Sequence, residues 1–324
     1  MTMKKTYLIA MLFIAFISCS KDNPTTDNIQ SISRKTETFN FSSYEMMYKK
    51  IDEITSTKEK KEAYTSEKYT NDNNLSKKSS ESETIILNNL KKYHADRLND
   101  IYELRKELNF ISIQSIADEI NSLNLINPNE ADKLLTKYKS LLFQDNYEIK
   151  TIYEDRTANV INENGEVLID GIPANFRIYK SNNPTGKYIG DEFIRTGTAA
   201  TSNDLYFKVD FSAGREKHRD TFGRTFFRYY TEFKAYYINF NTGITSLCPA
   251  TFNVDASSIA GFSQTGSFPF SEFAFSIPYP SGNGSSIRYT GSKIWTAYQP
   301  EGGLIKGTFT GAGRVATCNF KYTR

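Results

Sequence analysis

The residues able to do chemistry are few and unevenly spread. The densest group is Arg215-Glu216-Lys217-His218-Arg219-Asp220, with Arg224 and Arg228 close behind. Guanidinium forks match the oxygens of a sulfate, phosphate or uronate, which makes Arg215 and Arg219 candidate anion ligands. The competing reading is a solvated loop whose mixed charges satisfy one another, the usual fate of a charge run. A second candidate is the sole tryptophan, Trp295, with Tyr298 three residues on. Exposed rings stack on sugar faces, but 44 Phe and Tyr residues must also supply a core, and core is the default for any one ring. Glu192, Asp204, Asp210, Glu232 and Glu272 could furnish the carboxylate pair of a glycosidase, although strand carboxylates are more often solvated or paired. The chain has only two histidines, His94 and His218. They leave little room for a histidine-rich metal site or a proton relay, so no metal and no cofactor is expected. His94 reads as a helix-surface or core-edge residue. The sequence has no Gly-x-Ser-x-Gly elbow, His-Glu-x-x-His, phosphate-cradling loop or dinucleotide fingerprint. A net charge of +3 from 77 charged residues argues against a nucleic-acid partner. The balance leans away from an enzyme.

The amino terminus carries the most specific signal. Lys4 and Lys5 precede an unbroken apolar run at 8–17, which ends at Ser18-Cys19. A basic start, a short apolar core and a small residue before the cleavage point make a secretory signal. At about 10 residues the core falls well short of the roughly 20 that span a bilayer, and no other stretch approaches that length. Phe16-Ile17-Ser18-Cys19 resembles the lipobox of bacterial lipoproteins, with Phe16 where the family prefers Leu. The resemblance implies lipidation of Cys19 as the first mature residue. Ser20-Lys21-Asp22-Asn23 is similar to the charged tag of Bacteroidetes surface lipoproteins, which implies an outward-facing place on the outer membrane. The periplasmic face is the alternative. Several acyl chains on one cysteine hold stably where one chain would not. Ordinary signal cleavage beside an incidental cysteine is the bland alternative.

Lipidation of Cys19 would leave Cys248 and Cys318. In an extracytoplasmic chain the expectation is a disulfide between them. The loop of about 70 residues would contribute roughly 4 kcal/mol in the chain-entropy model. Cys318 shares a strand face with Ala316, Phe320 and Tyr322, read as the inner one. The other reading, Cys248 as a nucleophile served by His218, finds no supporting spacing.

These residues are held by two halves of different chemistry. Residues 1–145 contain no glycine, whereas all 18 glycines and 30 of the 44 Phe and Tyr residues lie beyond. Helices followed by strands are predicted: an α+β chain with a helical bundle, then an antiparallel β-sandwich or partly closed barrel. The divisions are 1–18 signal, 19–37 tether, 38–145 helical region, 146–190 hairpin connector and 191–324 β-rich domain. Met47, Ile51 and Ile54 mark a helix over 41–54 behind Ser42 and Ser43. The polar stretch 58–74 has at most a short helix opened by Ser56, and 71–82 is expected to be a loop. The strongest helix spans 83–109, with Ile86, Leu90, Tyr93, Ile101, Leu104 and Leu108 on one stripe that only Arg97 breaks. Another helix covers 113–123, and Asn127-Pro128 opens the next. Strands are expected at 205–211, 225–240, 273–277, 287–290, 294–298, 304–310 and 315–322. Asn164-Gly165 predicts a tight hairpin within 162–171. That run resembles a hairpin of uncharacterised Bacteroidetes lipoproteins with a helical front half, and 39–54 loosely resembles their first helix; no activity is implied. The functional expectation is a lipid-anchored, non-enzymatic binding or structural module for a glycan, peptide or protein. The alternatives are a polysaccharide-acting hydrolase and an adaptor docked on an outer-membrane transporter.

Overall fold

With no glycine and one proline between residues 44 and 138, little interrupts helix formation there. The computed structural model describes residues 37–70, 81–145, 147–154, 156–177, 194–220, 222–264, 275–295 and 297–323. Cys19, Glu192, Glu272 and residues 71–80 of the loop expected over 71–82 lie outside these, while 81–82 open a helix and not a loop. The helices are α1 (Tyr44–Thr70), α2 (Glu81–Leu108), α3 (Ile113–Ile126) and α4 (Pro128–Tyr138). Ser43 caps α1 by accepting the Met46 amide at 3.3 Å, Ser112 caps α3, and Asn127 caps α4 with Pro128 in its first turn. Among the described residues no helix is long and apolar enough to cross a membrane.

The expected break after residue 54 does not occur: α1 runs unbroken through the polar stretch to Thr70. Thr65 and Ser66 are buried in that second half, and Glu62 sits in an ion pair with Arg97 of α2. A helix whose inner face is polar but mutually satisfied leaves no hydrophobic stripe in the sequence.

The strands are β1 (Asn40–Phe41), β2 (Leu142–Asp145), β3 (Glu148–Thr151), β4 (Leu168–Ile169), β5 (Ile172–Pro173), β6 (Ile194–Thr201), β7 (Phe207–Arg219) and β8 (Thr225–Asn239). They continue with β9 (Ile244–Leu247), β10 (Ala250–Val254), β11 (Ile259–Gln264), β12 (Phe275–Pro278), β13 (Gly282–Gly284), β14 (Ser286–Ile294), β15 (Tyr298–Gly311) and β16 (Arg314–Thr323). One sheet runs β14-β8-β7-β6, with β9 also on β8. The other runs β12-β11-β15-β10-β13, with β16 also on β15. Every pairing within these two sheets is antiparallel.

Alternation decides which side each residue takes. Phe207, Val209 and Phe211 of β7 and Tyr229, Phe233 and Tyr237 of β8 share one core with Phe252, Phe262 and Phe309 of the second sheet. Each such ring contributes roughly 1.5–3 kcal/mol on burial. Ile86 and Leu90 of α2 and Leu125 of α3 join the same core. Residues Thr36–Arg324 form one compact unit.

The expected hairpin lies one turn further on. Asn164-Gly165 does turn the chain, closed by a 3.0 Å bond from the Asn162 amide to the Glu166 carbonyl, but Ile161 bonds to Ile113 and no ladder forms. The hairpin is β4–β5, around Asp170 and Gly171. Both have positive φ (53° and 75°), as a two-residue type I′ turn requires. β1 then pairs with β4 in parallel, so the start of the described chain is part of this small sheet.

Candidate functional site

The outer face of β7 and β8 turns toward the helices, and there charge is concentrated. Glu216 and His218 alternate with the core-facing Arg215, and both are buried. The Glu216 carboxylate accepts from Arg288 of β14, pairs with the His218 Nε2 at 3.1 Å and lies 3.9 Å from Arg156. Burial pushes this carboxyl up, but Arg288, the His218 hydrogen bond and charge, and Arg156 outweigh it and hold the pKa at about 2. Asp52 of α1 bridges Arg156 at 2.9 Å and Arg228 of β8 at 2.8 Å. Nearly three turns further along α1, Glu62 takes Arg97 at 2.9 Å, the Ser285 amide and hydroxyl at 3.1 and 2.8 Å, and the Tyr93 hydroxyl. Burial raises that carboxyl too, yet Arg97 and these hydrogen bonds bring it to about 2. Glu148 of β3 pairs with Lys234 of β8 at 2.9 Å. A seam of buried ion pairs thus joins the helices to the sheet.

Within the seam Glu154, Glu216 and His218 bring three ligand atoms within 4.8 Å of one another. Both Glu216 oxygens already serve guanidiniums or His218. That is a carboxylate satisfied by cations, and a metal would have to displace Arg288 and Arg156. A cavity of about 40 Å³ opens beside α1, lined by Lys58, Glu62, Arg97, Asp100, Arg105 and Asp118. It has room for about three waters, whereas ligand pockets measure about 300–1,000 Å³. His94 is fully buried, not at a helix surface. Its Nε2 meets the Leu247 carbonyl at 2.9 Å and the Ser246 hydroxyl at 2.7 Å. Burial, then the charge of Arg97, lowers its pKa to about 3.

The exposed chemistry lies at one end of the same sheet. Asp220 builds the turn between β7 and β8, its carboxylate accepting the amides of Phe222 (3.0 Å) and Arg224 (2.7 Å) and the Arg224 guanidinium (2.8 Å). Gly223 follows with φ +75°. Phe222 is thereby left 82% exposed. The Arg224 guanidinium lies 5.3 Å from its ring and 4.9 Å from that of Trp295, which is 50% exposed at the end of β14. Lys293 sits 4.4 Å over Trp295 and 4.2 Å over Phe226. Lys217 and Arg219 are exposed at the end of β7.

The four ligand candidates therefore separate. Trp295 and Arg219 lie at this rim. Arg215 is buried in the sheet interior, donating to the Tyr298 carbonyl at 2.6 Å over the Phe227 ring. Tyr298 packs on Tyr229, to whose hydroxyl it donates its amide at 2.5 Å. Both are parts of the core. Phe222 escaped sequence reasoning because a lone Phe in a charge run looks like core; Asp220 and Gly223 between two alternating strands are the turn signal that locates it.

The expected disulfide is not formed. Cys248 and Cys318 are both buried thiols in one core, and Cys318 shares the inner face with Ala316 as expected. Cys318 pairs with Gly307 of β15, which on its other side meets Val254 at the far end of β10. Cys248 precedes the near end, Ala250. Four residues of strand, about 13 Å, plus two strand spacings separate those points, and two residues cannot fold back far enough to reach the roughly 7 Å Cα limit. The Cys318 thiol instead donates to the Ile305 carbonyl at 3.4 Å. Burial pushes the Cys248 thiol far up, against a small opposing effect of Arg314, which disfavours the thiolate a nucleophile needs.

Four helices and antiparallel sheets around a common core define an α+β protein. No family model and no curated protein matches the chain. Among solved structures, a DUF4848 family protein from Bacteroides thetaiotaomicron is similar over 87% of this chain and 96% of that one, at 10% identity and a TM-score of 0.27. So slight a likeness transfers neither fold nor function.

Proposed function

We propose that the protein is a lipid-anchored envelope protein, held on the outer membrane through Cys19 and facing outward, that works as a non-enzymatic binding module. The anchor reading rests on the lipobox and its apolar leader. The binding reading rests on one observation: the exposed rim of Phe222, Arg224, Lys293 and Trp295, where two rings and two cations stand in water at the end of a rigid sheet. Exposed aromatic and arginine side chains are what contact surfaces are made of. The hydrolase alternative draws no comparable support. Asp204 pairs with Arg314, Asp210 with Lys208, and Glu232 accepts from Ser286.

Trp295 is the only tryptophan of the chain, so once the emission of the envelopes alone is subtracted the signal reports on this rim. Adding isolated outer-membrane envelopes to the full chain should shift that emission to the blue. Phe222→Ser with Arg224→Ala should abolish the shift while changing stability by no more than about 0.5 kcal/mol, as for surface substitutions generally. An unresponsive Trp295, or a double variant that unfolds, contradicts a binding rim.

A further inference from the structure

α1 is one helix with two kinds of docking. Its first three turns are held by apolar burial: Met47, Tyr48, Ile51 and Ile54 are buried in a cluster with Val160 and Phe226. Beyond Ile54 the buried residues of the helix are Thr65 and Ser66. Among the described residues, the hydrophobic clusters include none of 55–70. Tyr64 stands in water, and Tyr69 sets its ring edge-on to Tyr93, 5.7 Å between centroids. What docks this half is polar. Lys58 pairs with Asp118 of α3, and Lys61 with Glu103 and Glu107 of α2. Thr65 and Tyr69 donate to Asp100 and Asp96 of α2. Glu62 takes the buried Arg97 and the two Ser285 donors.

Such a joint is weaker than an apolar one for two reasons. Lysine pairs with exposed carboxylates, as Lys61 makes with Glu103 and Glu107, contribute little to stability. A buried pair offsets its own desolvation only when its remaining protons find acceptors. Among the described residues the Arg97 Nη1 has no hydrogen-bond partner, nor has the Nη2 of Arg105. The packing is also incomplete. The cavity of about 40 Å³ lies in this joint, bounded by Lys58, Lys61 and Glu62 of α1 and by Arg97 and Arg105 of α2, so the faces do not meet at the density of a core. Lifting this half of α1 would wet both members of each pair together, and no charge would be stranded. We infer that residues 55–70 are a polar strap: a unit that lifts from α2, α3 and Ser285 while the first turns of α1 stay in the core, and that salt helps to release. Its opening draws the Glu62 carboxylate off Arg97, the Tyr93 hydroxyl and the two Ser285 donors, and presents those donors to solvent.

Native-state hydrogen exchange on the full chain, read amide by amide, tests this. After correction for intrinsic rates, the amides of 58–66 should share one opening and exchange at least about tenfold faster than those of 48–54, since a local unit opens more readily than the whole fold. Sodium chloride at about 0.5 M should speed 58–66 by roughly threefold and leave 48–54 unchanged, because the solvent-exposed pairs are screened. Lys61→Ala removes two such pairs from a partly exposed position. It should speed the same amides without salt and shrink the effect of salt on them. Exchange that slows steadily inward from Thr70 would be the fraying of a helix end, and overturns the strap as a unit. A single rate across 48–66, unmoved by salt or by Lys61→Ala, overturns it too, because α1 would then open only with the whole fold.

Discussion

Glu216 and Asp204 are both carboxylates paired with arginine, yet they differ in consequence because one is buried and the other half-exposed. Removing one partner of a buried pair leaves the other charge stranded at about 3–5 kcal/mol, while exposed pairs are worth about 0–1 kcal/mol. Glu216→Gln should therefore lower the urea midpoint sharply, and Asp204→Asn should barely move it; equal effects would remove the distinction. Acid adds a second handle. His94 takes a proton at 6.5 when unfolded but only at about 3 in the fold. Between those values the unfolded chain holds the extra proton, so this contribution to stability is complete above pH 6.5 and is lost as the pH falls toward 3. Glu62 and Glu216, moved from 4.5 to about 2, contribute fully above 4.5 and lose that contribution toward 2. His94→Gln should flatten the dependence of stability on pH between 6.5 and 4.5 and make the acid limb shallower by one proton down to about 3, leaving the part due to Glu62 and Glu216 in place. A wild-type slope in the variant would show that His94 does not titrate as described. The two cysteines should both react with alkylating reagent only after denaturation, without prior reduction; a mass shift that requires reduction would contradict the register argument. At this scale the sequence showed the anomaly but not its resolution. Arg97 interrupts an apolar stripe in plain view, whereas its partner Glu62 lies 35 residues away in a stretch that reads as polar surface.

Elements were legible where one face is apolar and the other polar. β8 announces itself through aromatic residues at alternate positions, and its other face, with Arg228, Glu232 and Lys234, was equally plain. What could not be seen is that this second face is covered, because charged residues signal solvent until their partners on α1 and β3 are known. The same blindness cut α1 short. Short strands such as β9, β10 and β13 carry too few residues for a period to emerge. Asn164-Gly165 and Asp170-Gly171 are equally good turn dipeptides, and the flanks of the second form a ladder. Packing at the strand ends gives a sharper test. A Cβ on Gly311 would stand 2.6 Å from the Phe207 ring and 3.0 Å from the Pro249 carbonyl. Neither neighbour can yield, since Phe207 is fully buried. Gly311→Ala should cost about 1–3 kcal/mol by overpacking, read from the urea midpoint; a neutral substitution would mean that the sheets have room to part.

For the molecule as a whole, the change from glycine-free to glycine-rich chain marks a change of secondary structure and not the limit of a core. Ile86, Leu90 and Leu125 sit in the cluster that the two sheets build, and α1 is tied to β8 by the Asp52–Arg228 ion pair and to the residue before β14 by the Ser285–Glu62 hydrogen bond. Helices and sheets should consequently unfold together, with far-ultraviolet ellipticity and Trp295 emission tracing one transition. Two separated transitions would divide what the shared core unites. Above all, the proposed function depends on what becomes of Cys19. Mass spectrometry of the amino-terminal peptide, taken from protein extracted from membranes, answers this most directly. Lipid anchoring predicts a chain that begins at Cys19 and carries acyl groups on it. A mature terminus elsewhere, or an unmodified Cys19, would contradict it.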